Sequence, residues 1–265
     1  MEATYRSVDY DRGRERTYHL SILVTPTGTG WCVHEQARSR CVALASTKGQ
    51  VLPQLDLLPS HPMSISFVAA PELSTLVPES ALAMGAEKDH LALVHGPLPT
   101  GLLRDEPVDL LGARCVYLHD EAAERIVLDR YPGARPIALR TLMVHGVLER
   151  SRNGTTLLLH RSGKRLDIAL GRNGKLLLSN AFHATNGTDM LYYVLFVLER
   201  SQLPLADVTV LAGGTDLTAD DMQLMRGYLP RAYPTFEPGE PTIAGLDIEA
   251  PERWSALLDQ AACAS

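Results

Sequence analysis

The residues best suited to chemistry lie in three glycine-containing turns, one of them basic. A β-branched run, Val208-Thr209-Val210-Leu211, leads into Ala212-Gly213-Gly214-Thr215. Glycines in such a turn let a backbone come close to a flat base or ribose. A strand that enters a helix also needs a turn, so the double glycine alone does not separate a ligand site from a plain connection. The second turn is Arg161-Ser162-Gly163-Lys164-Arg165. Arginine and lysine suit phosphate and carboxylate, which makes Arg161, Lys164 and Arg165 candidate anion-binding residues. The simpler reading of the same turn is a solvated hairpin tip. The third is Thr27-Gly28-Thr29-Gly30, between two strand-like stretches. Asp189, Asp216, Asp220 and Asp221 each fall at a helix start or in the turn before one. That position suits capping and the helix dipole. The alternative is a set of rearranged acids for phosphoryl transfer.

Other chemistries find little support. The 9 histidines are scattered without an HExxH spacing, and the 4 cysteines (Cys32, Cys41, Cys115, Cys263) contain no CxxC pair, so no metal site is expected. Cys32 and Cys41 face each other if strands 29–35 and 38–45 are joined by a tight turn at Gln36-Ala37, which would permit a crosslink. Two reduced thiols are the expectation in a reducing compartment. The formal net charge of −6 argues against a general nucleic-acid or anionic-membrane binder. No apolar run approaches the roughly 20 residues of a membrane span, and the polar N-terminus lacks a signal-peptide core. A cytoplasmic location is expected.

The elements that would position these turns follow from periodicity. Residues 1–16 form a polar arm. Three strands follow, TYHLSILVTP, TGTGWCVHE and SRCVALAS, as an antiparallel meander. Residues 49–62 read as a short helix and an irregular connection, Met63–Ala69 as a strand, and Glu79–Gly85 as a short helix after Pro78. His90–His95 reads as a strand, and Arg114–Leu118 as another. Helices are expected at Asp120–Tyr131 and Ile137–Arg150. A second meander then begins: TTLLLHR, KRLDIAL and KLLLSNAF, the latter two joined through Arg172-Asn173-Gly174. The unbroken apolar run from Met190 to Leu198 predicts a helix buried on all sides. Thr218-Ala-Asp-Asp221 opens a helix to Tyr228 with a near capping box. A closing helix is expected over Pro251–Ala262, with Trp254, Leu257, Leu258 and Ala261 inward.

Both halves thus open with a meander and continue into helices and short strands. The pattern predicts an α/β (α+β) fold with two subdomains, at 17–150 and 151–235, and an inter-domain cleft. Residues 236–265 form a connection and the closing helix.

A meander followed by helix, strand and helix, present twice, resembles the actin-like, ribonuclease-H-like fold. The stretch KLLLSNAFHATNGTDMLYYVLFVLERSQL…VTVLAGG is similar to domain of unknown function 3822, a family of degenerate actin-like proteins related to the pilus-assembly protein PilM. This resemblance assigns the three turns to nucleotide loops. Gly28, Thr29 and Gly30 match a first phosphate loop, but Pro26 stands where the family fold carries a Mg²⁺-organising Asp. Ser162 and Gly163 match a second phosphate loop, with His160 in place of the acid. Gly213, Gly214 and Thr215 match the adenosine loop. Mg²⁺ wants carboxylate and phosphate oxygens, and the acids that metal-assisted transfer needs are missing. The expectation is therefore a non-catalytic module with no cofactor and no catalytic residue, acting through an unidentified protein partner. The alternatives are an ATPase or small-molecule kinase using ATP with Mg²⁺, and a binder of a non-nucleotide anion.

Overall fold

The computed structural model describes residues 3–52 and 58–263, with Arg38 and Cys263 as backbone only. The chain divides into two compact units. The first comprises Met1–Thr141, Pro241–Asp247 and Gln260–Ser265; the second comprises Leu142–Glu240 and Ile248–Asp259.

In the first unit, β1 (Ala3–Arg6), β2 (Tyr18–Thr25), β3 (Gly28–Glu35), β4 (Arg40–Lys48), β5 (Ser64–Ala69) and a short strand after the second helix share one sheet. Its order is β1-β4-β3-β2-β5 and then the short strand. The expected meander is β2–β3–β4. Part of the arm, expected to be merely polar, adds β1 antiparallel to β4, with Ala3 opposite Ser46. Cys32 and Cys41 meet sulfur to sulfur between β3 and β4, with Cα atoms 6.4 Å apart. The helix expected within residues 49–62 falls largely on 53–57, outside the described residues.

A separate antiparallel sheet holds β6 (Leu73–Pro78), β7 (Leu102–Val108) and β8 (Ala113–His119), with β8 in the middle. α1 (Glu87–His95) packs on it through Leu91, beside Val77, Val116 and Leu118. This corrects the strand expected at His90–His95. The short apolar run there is not a buried strand, since Leu93 and Val94 are 84% and 56% exposed. Glu87 and Asp89 in the first turn and His95 in the last complement the helix dipole. The helix expected at Glu79–Gly85 is only a 3-10 turn, Glu79–Ala81. Strand β7 was hidden by its charges and by Pro107, which a strand tolerates at a sheet edge. α2 (Glu121–Leu128) follows, capped by Asp120, whose carboxylate accepts from the Ala123 amide. Then come β9 (Arg135–Pro136), parallel to β5 at the sheet edge, and α3 (Leu139–Arg150).

The second unit carries β10 (Thr155–Ser162), β11 (Arg165–Arg172), β12 (Lys175–His183), β13 (Val208–Gly213) and β14 (Ala232–Pro234), in the order β12-β11-β10-β13-β14. The meander is antiparallel, whereas β13 runs parallel to both β10 and β14. β13 is therefore the interior strand that its β-branched run implies. α4 (Gly187–Arg200) and α5 (Ala219–Tyr228) pack on this sheet. Met190, Leu191, Val194, Val197 and Leu198 face the core. Tyr192 is 60% exposed, and Tyr193, Leu195 and Phe196 are half-buried. The helix is one-sided rather than buried all round, because aromatic residues extend its apolar run onto the outer face. The closing helix is broken into a 3-10 turn Pro251–Trp254, α6 (Ser255–Leu258) and a 3-10 turn Asp259–Cys263. Trp254, Leu257 and Leu258 are buried as expected.

Candidate functional site

Two of the three turns come together within the second unit. Hydrophobic β10 and β13 run side by side in parallel, pairing His160 with Gly213, so the residues that follow each strand become neighbours. On the β10 side, Ser162 pairs with Arg165 and the hairpin turns through Gly163, whose φ is +58°. On the β13 side the chain leaves through Gly213, Gly214 and Thr215.

Asp216 closes the gap between them. Its carboxylate accepts the Gly163 amide at 2.8 Å and the Thr215 hydroxyl at 2.9 Å. The Thr215 hydroxyl also lies 3.4 Å from the Ser162 hydroxyl. Arg253 donates to the Thr215 carbonyl from Nε at 3.2 Å and from Nη2 at 2.9 Å. The Gly214 amide donates to the Glu252 carbonyl at 3.0 Å.

The glycine pair is packed against the protein itself. A Cβ on Gly213 would fall 2.6 Å from the Ser255 hydroxyl, 2.8 Å from the Glu252 carbonyl and 2.9 Å from the Thr235 hydroxyl. A Cβ on Gly214, which has φ +117°, would fall 2.2 Å from the Arg161 carbonyl oxygen and 2.4 Å from its amide. Close backbone approach is the reason for these glycines, and here the approaching backbone is the chain's own.

The basic residues around the hairpin have separate fates. The Arg161 guanidinium pairs with Asp221, and Arg165 grips Asp167 with two bonds of 2.7 Å. Lys164 is exposed at the tip. Asp221 also completes a capping box with Thr218, and Asp189 accepts the Thr185 amide and hydroxyl beside the Asn186 cap of α4. The hydroxyl bond from Thr185, reinforced by its amide, holds the Asp189 carboxyl below its ordinary value. Asp220 is exposed.

The remaining turn belongs to the first unit. Thr25 pairs with Gly28, and the Thr25 hydroxyl both donates to the Gly28 carbonyl (2.8 Å) and accepts its amide (3.1 Å). A Cβ on Gly28 would lie 2.7 Å from the Thr47 carbonyl of the next strand. Thr29 is buried and donates to the Gly49 carbonyl at 3.2 Å. Gly30 continues β3 opposite Leu23 and Ser46.

Sequence reading missed a buried polar cluster in the first unit, because Glu72 and Arg104 reach it from distant parts of the chain. His119, fully buried on β8, lies 3.0 Å from Glu124 and 3.3 Å from Glu72. Arg104 donates to Glu124, and Glu72 accepts the Leu139 and Arg140 amides at the start of α3. Burial alone would lower the His119 pKa, but its bonds to the two carboxylates prevail and raise it. Glu106 accepts the Ala138 amide, and burial raises its pKa. Among the described residues, no group of three or more His, Cys, Asp or Glu side chains has an arrangement that holds a metal. No helix among them is long and apolar enough to cross a membrane.

The model of the family described as protein of unknown function DUF3822 matches residues 9–231. The chain belongs to the DUF3822 family. No curated protein matches it in sequence. In structure this DUF3822 member is similar to a Bacteroides thetaiotaomicron protein with an actin-like ATPase fold and unknown function, at TM-score 0.73 and 15% identity over 96% of this chain and 99% of that one. It is also similar to a chain of the PilM-PilN type IV pilus biogenesis complex, at TM-score 0.56 and 14% identity, covering 94% and 98%. The ethanolamine utilization protein EutJ from Carboxydothermus hydrogenoformans gives TM-score 0.50 and 11% identity over 92% and 89%. The fold of this DUF3822 chain is therefore actin-like.

Proposed function

We propose that this chain is a non-catalytic actin-like module that works by binding another protein and uses neither ATP nor Mg²⁺. The observation that carries the reading is the Asp216–Gly163 bond at 2.8 Å. In an actin-like nucleotide site, hairpin amides serve phosphate oxygens. Here a carboxylate of the same chain already serves that amide, and a second anion beside it would meet repulsion. Pro26 and His160 supply no carboxylate for a cation, so Mg²⁺ with a nucleotide does not fit these residues. The glycines need no ligand to explain them. A similar structure, PilM, is found in a complex with PilN, which supports a partner-binding role for the fold.

Two measurements test the reading. Thermal shift with ATP at about millimolar concentration, the upper end of usual substrate affinities, is expected to leave the melting temperature unchanged with and without Mg²⁺. A Mg²⁺-dependent rise would overturn the non-catalytic reading. Affinity purification after gentle lysis of the native cell should recover a protein partner in fixed proportion. Recovery of the chain alone counts against partner binding.

A further inference from the structure

The three sheets present six edges among the described residues, and five of them are blunted. β1, β9 and β14 have 4, 2 and 3 residues. β6 ends in Pro78, and β7 carries Arg104, Asp105, Glu106 and Pro107. Shortness, charge and proline are the usual devices against edge-to-edge pairing. β12 is different. Its 9 residues, KLLLSNAFH, hold titratable side chains only at the two ends, and its one irregularity lies near its start, at the Leu170/Gly171 step of β11.

Around Asn180 this edge presents an outward backbone amide and exposed side chains. The Ala181 amide bonds to the Asn180 side chain at 2.9 Å, so it points away from β11 and an exposed side chain caps it. Asn180 is exposed, and Leu177 is 50% exposed. Above the edge runs an aromatic row. Phe182 stacks on Tyr193 at 4.6 Å, Tyr193 meets Tyr192 at 5.2 Å, and Tyr192 meets Phe196 at 6.2 Å. The first meander shows how this protein treats the equivalent edge, because β4 is covered by strand β1 in antiparallel pairing.

We propose that β12 pairs antiparallel with β12 of a second copy of this chain, about a two-fold axis at Asn180. The sequence is self-complementary in that register. Leu178 of one copy stands opposite Phe182 of the other, an aliphatic–aromatic pair of the kind that stabilises sheets. Asn180 stands opposite itself, and a carboxamide is both donor and acceptor. Lys175 faces Thr185, so no like charges meet. The Tyr192–Phe196 rows of the two copies then adjoin across the axis. The contact is isologous and closes at two copies.

The test uses the full chain. Light scattering on a sizing column at about 100 µM, above the micromolar end of standard-size interfaces, should give twice the chain mass. Asn180→Lys and Asn180→Asp each put two like charges on the axis, and each should run as a monomer with an unchanged melting temperature. Mixing the two should restore the dimer, because the charges are then opposite. Leu177→Lys, at an exposed position that the fold does not need, should weaken association by about tenfold or more. A monomeric wild-type chain overturns the proposal. A dimer retained in both Asn180 variants, or one lost in them and not restored by mixing, also overturns it.

Discussion

Gly214 rests directly on the backbone of Arg161, with no room between them for a methyl group. Two strands that end side by side are locked there, and the lock is made without any ligand. Gly214→Ala should therefore destabilise the protein by about 3 kcal/mol or more, since it adds a clash to a positive φ that side chains avoid. Gly163→Ala is the control. Gly163 also has positive φ but nothing lies within 4 Å of its Cβ position, so the cost should be about 1 kcal/mol. Urea denaturation of the two variants decides. Equal losses would mean that the Gly214 contact does not matter.

The Asp216 carboxylate should matter for stability rather than for catalysis. Asp216→Ala removes the acceptor of the Gly163 amide. Both groups are exposed, so water replaces the bond at a cost of about 1 kcal/mol or less. If the carboxylate is what excludes anions, sulfate should raise the melting temperature of Asp216→Ala more than that of wild type. An identical response in both would refute this role.

Two buried histidines give opposite pH limbs. His19 sits between the Ser64 and Ser66 hydroxyls, and burial pushes its pKa down to about 4 from 6.5. The unfolded chain then binds the proton more readily, so stability falls as pH drops from 6.5 towards 4, by up to about 3 kcal/mol. His119 has the reverse sign. Its raised value means that the charged form is favoured in the fold. That contribution is complete below 6.5 and is lost as pH rises through the raised value. Melting curves from pH 4 to 9 should show a flatter acid limb in His19→Gln and a flatter alkaline limb in His119→Gln. Limbs parallel to wild type would contradict the assignment.

Cys32 and Cys41 should crosslink under oxidising conditions. Their Cα separation of 6.4 Å lies within the disulfide range. Thiol counting on unfolded protein, before and after reduction, should differ by the two sulfurs of this pair. Peptide mapping should find Cys32 joined to Cys41. A full complement of thiols after mild oxidation would exclude the link.

The sequence was most informative where local signals and burial agree. The two meanders, the strand at β13 and the Thr218–Asp221 box were all legible, because turn residues, β-branched runs and caps each act within a few residues. α1 was misread because a short apolar run such as LALV does not distinguish strand from helix, and only Leu91 is buried. β7 was missed because its sheet partner, not its own composition, makes it a strand. For α4, residue type marked the apolar run but not which aromatics would stay outside. The bond between Asp216 and Gly163 depends on a separation of 53 residues. No periodicity reports that distance, and the same is true of His119 with Glu72.

The contact between Gly214 and Arg161 has an evolutionary consequence. Selection for folding alone is enough to retain the glycine pair after β13, whatever the turn binds. A motif search built on such a pair would gather binders and non-binders alike. Sorting relatives by the residue that answers the hairpin amide, Asp216 here, would divide them along a line that the glycines cannot draw.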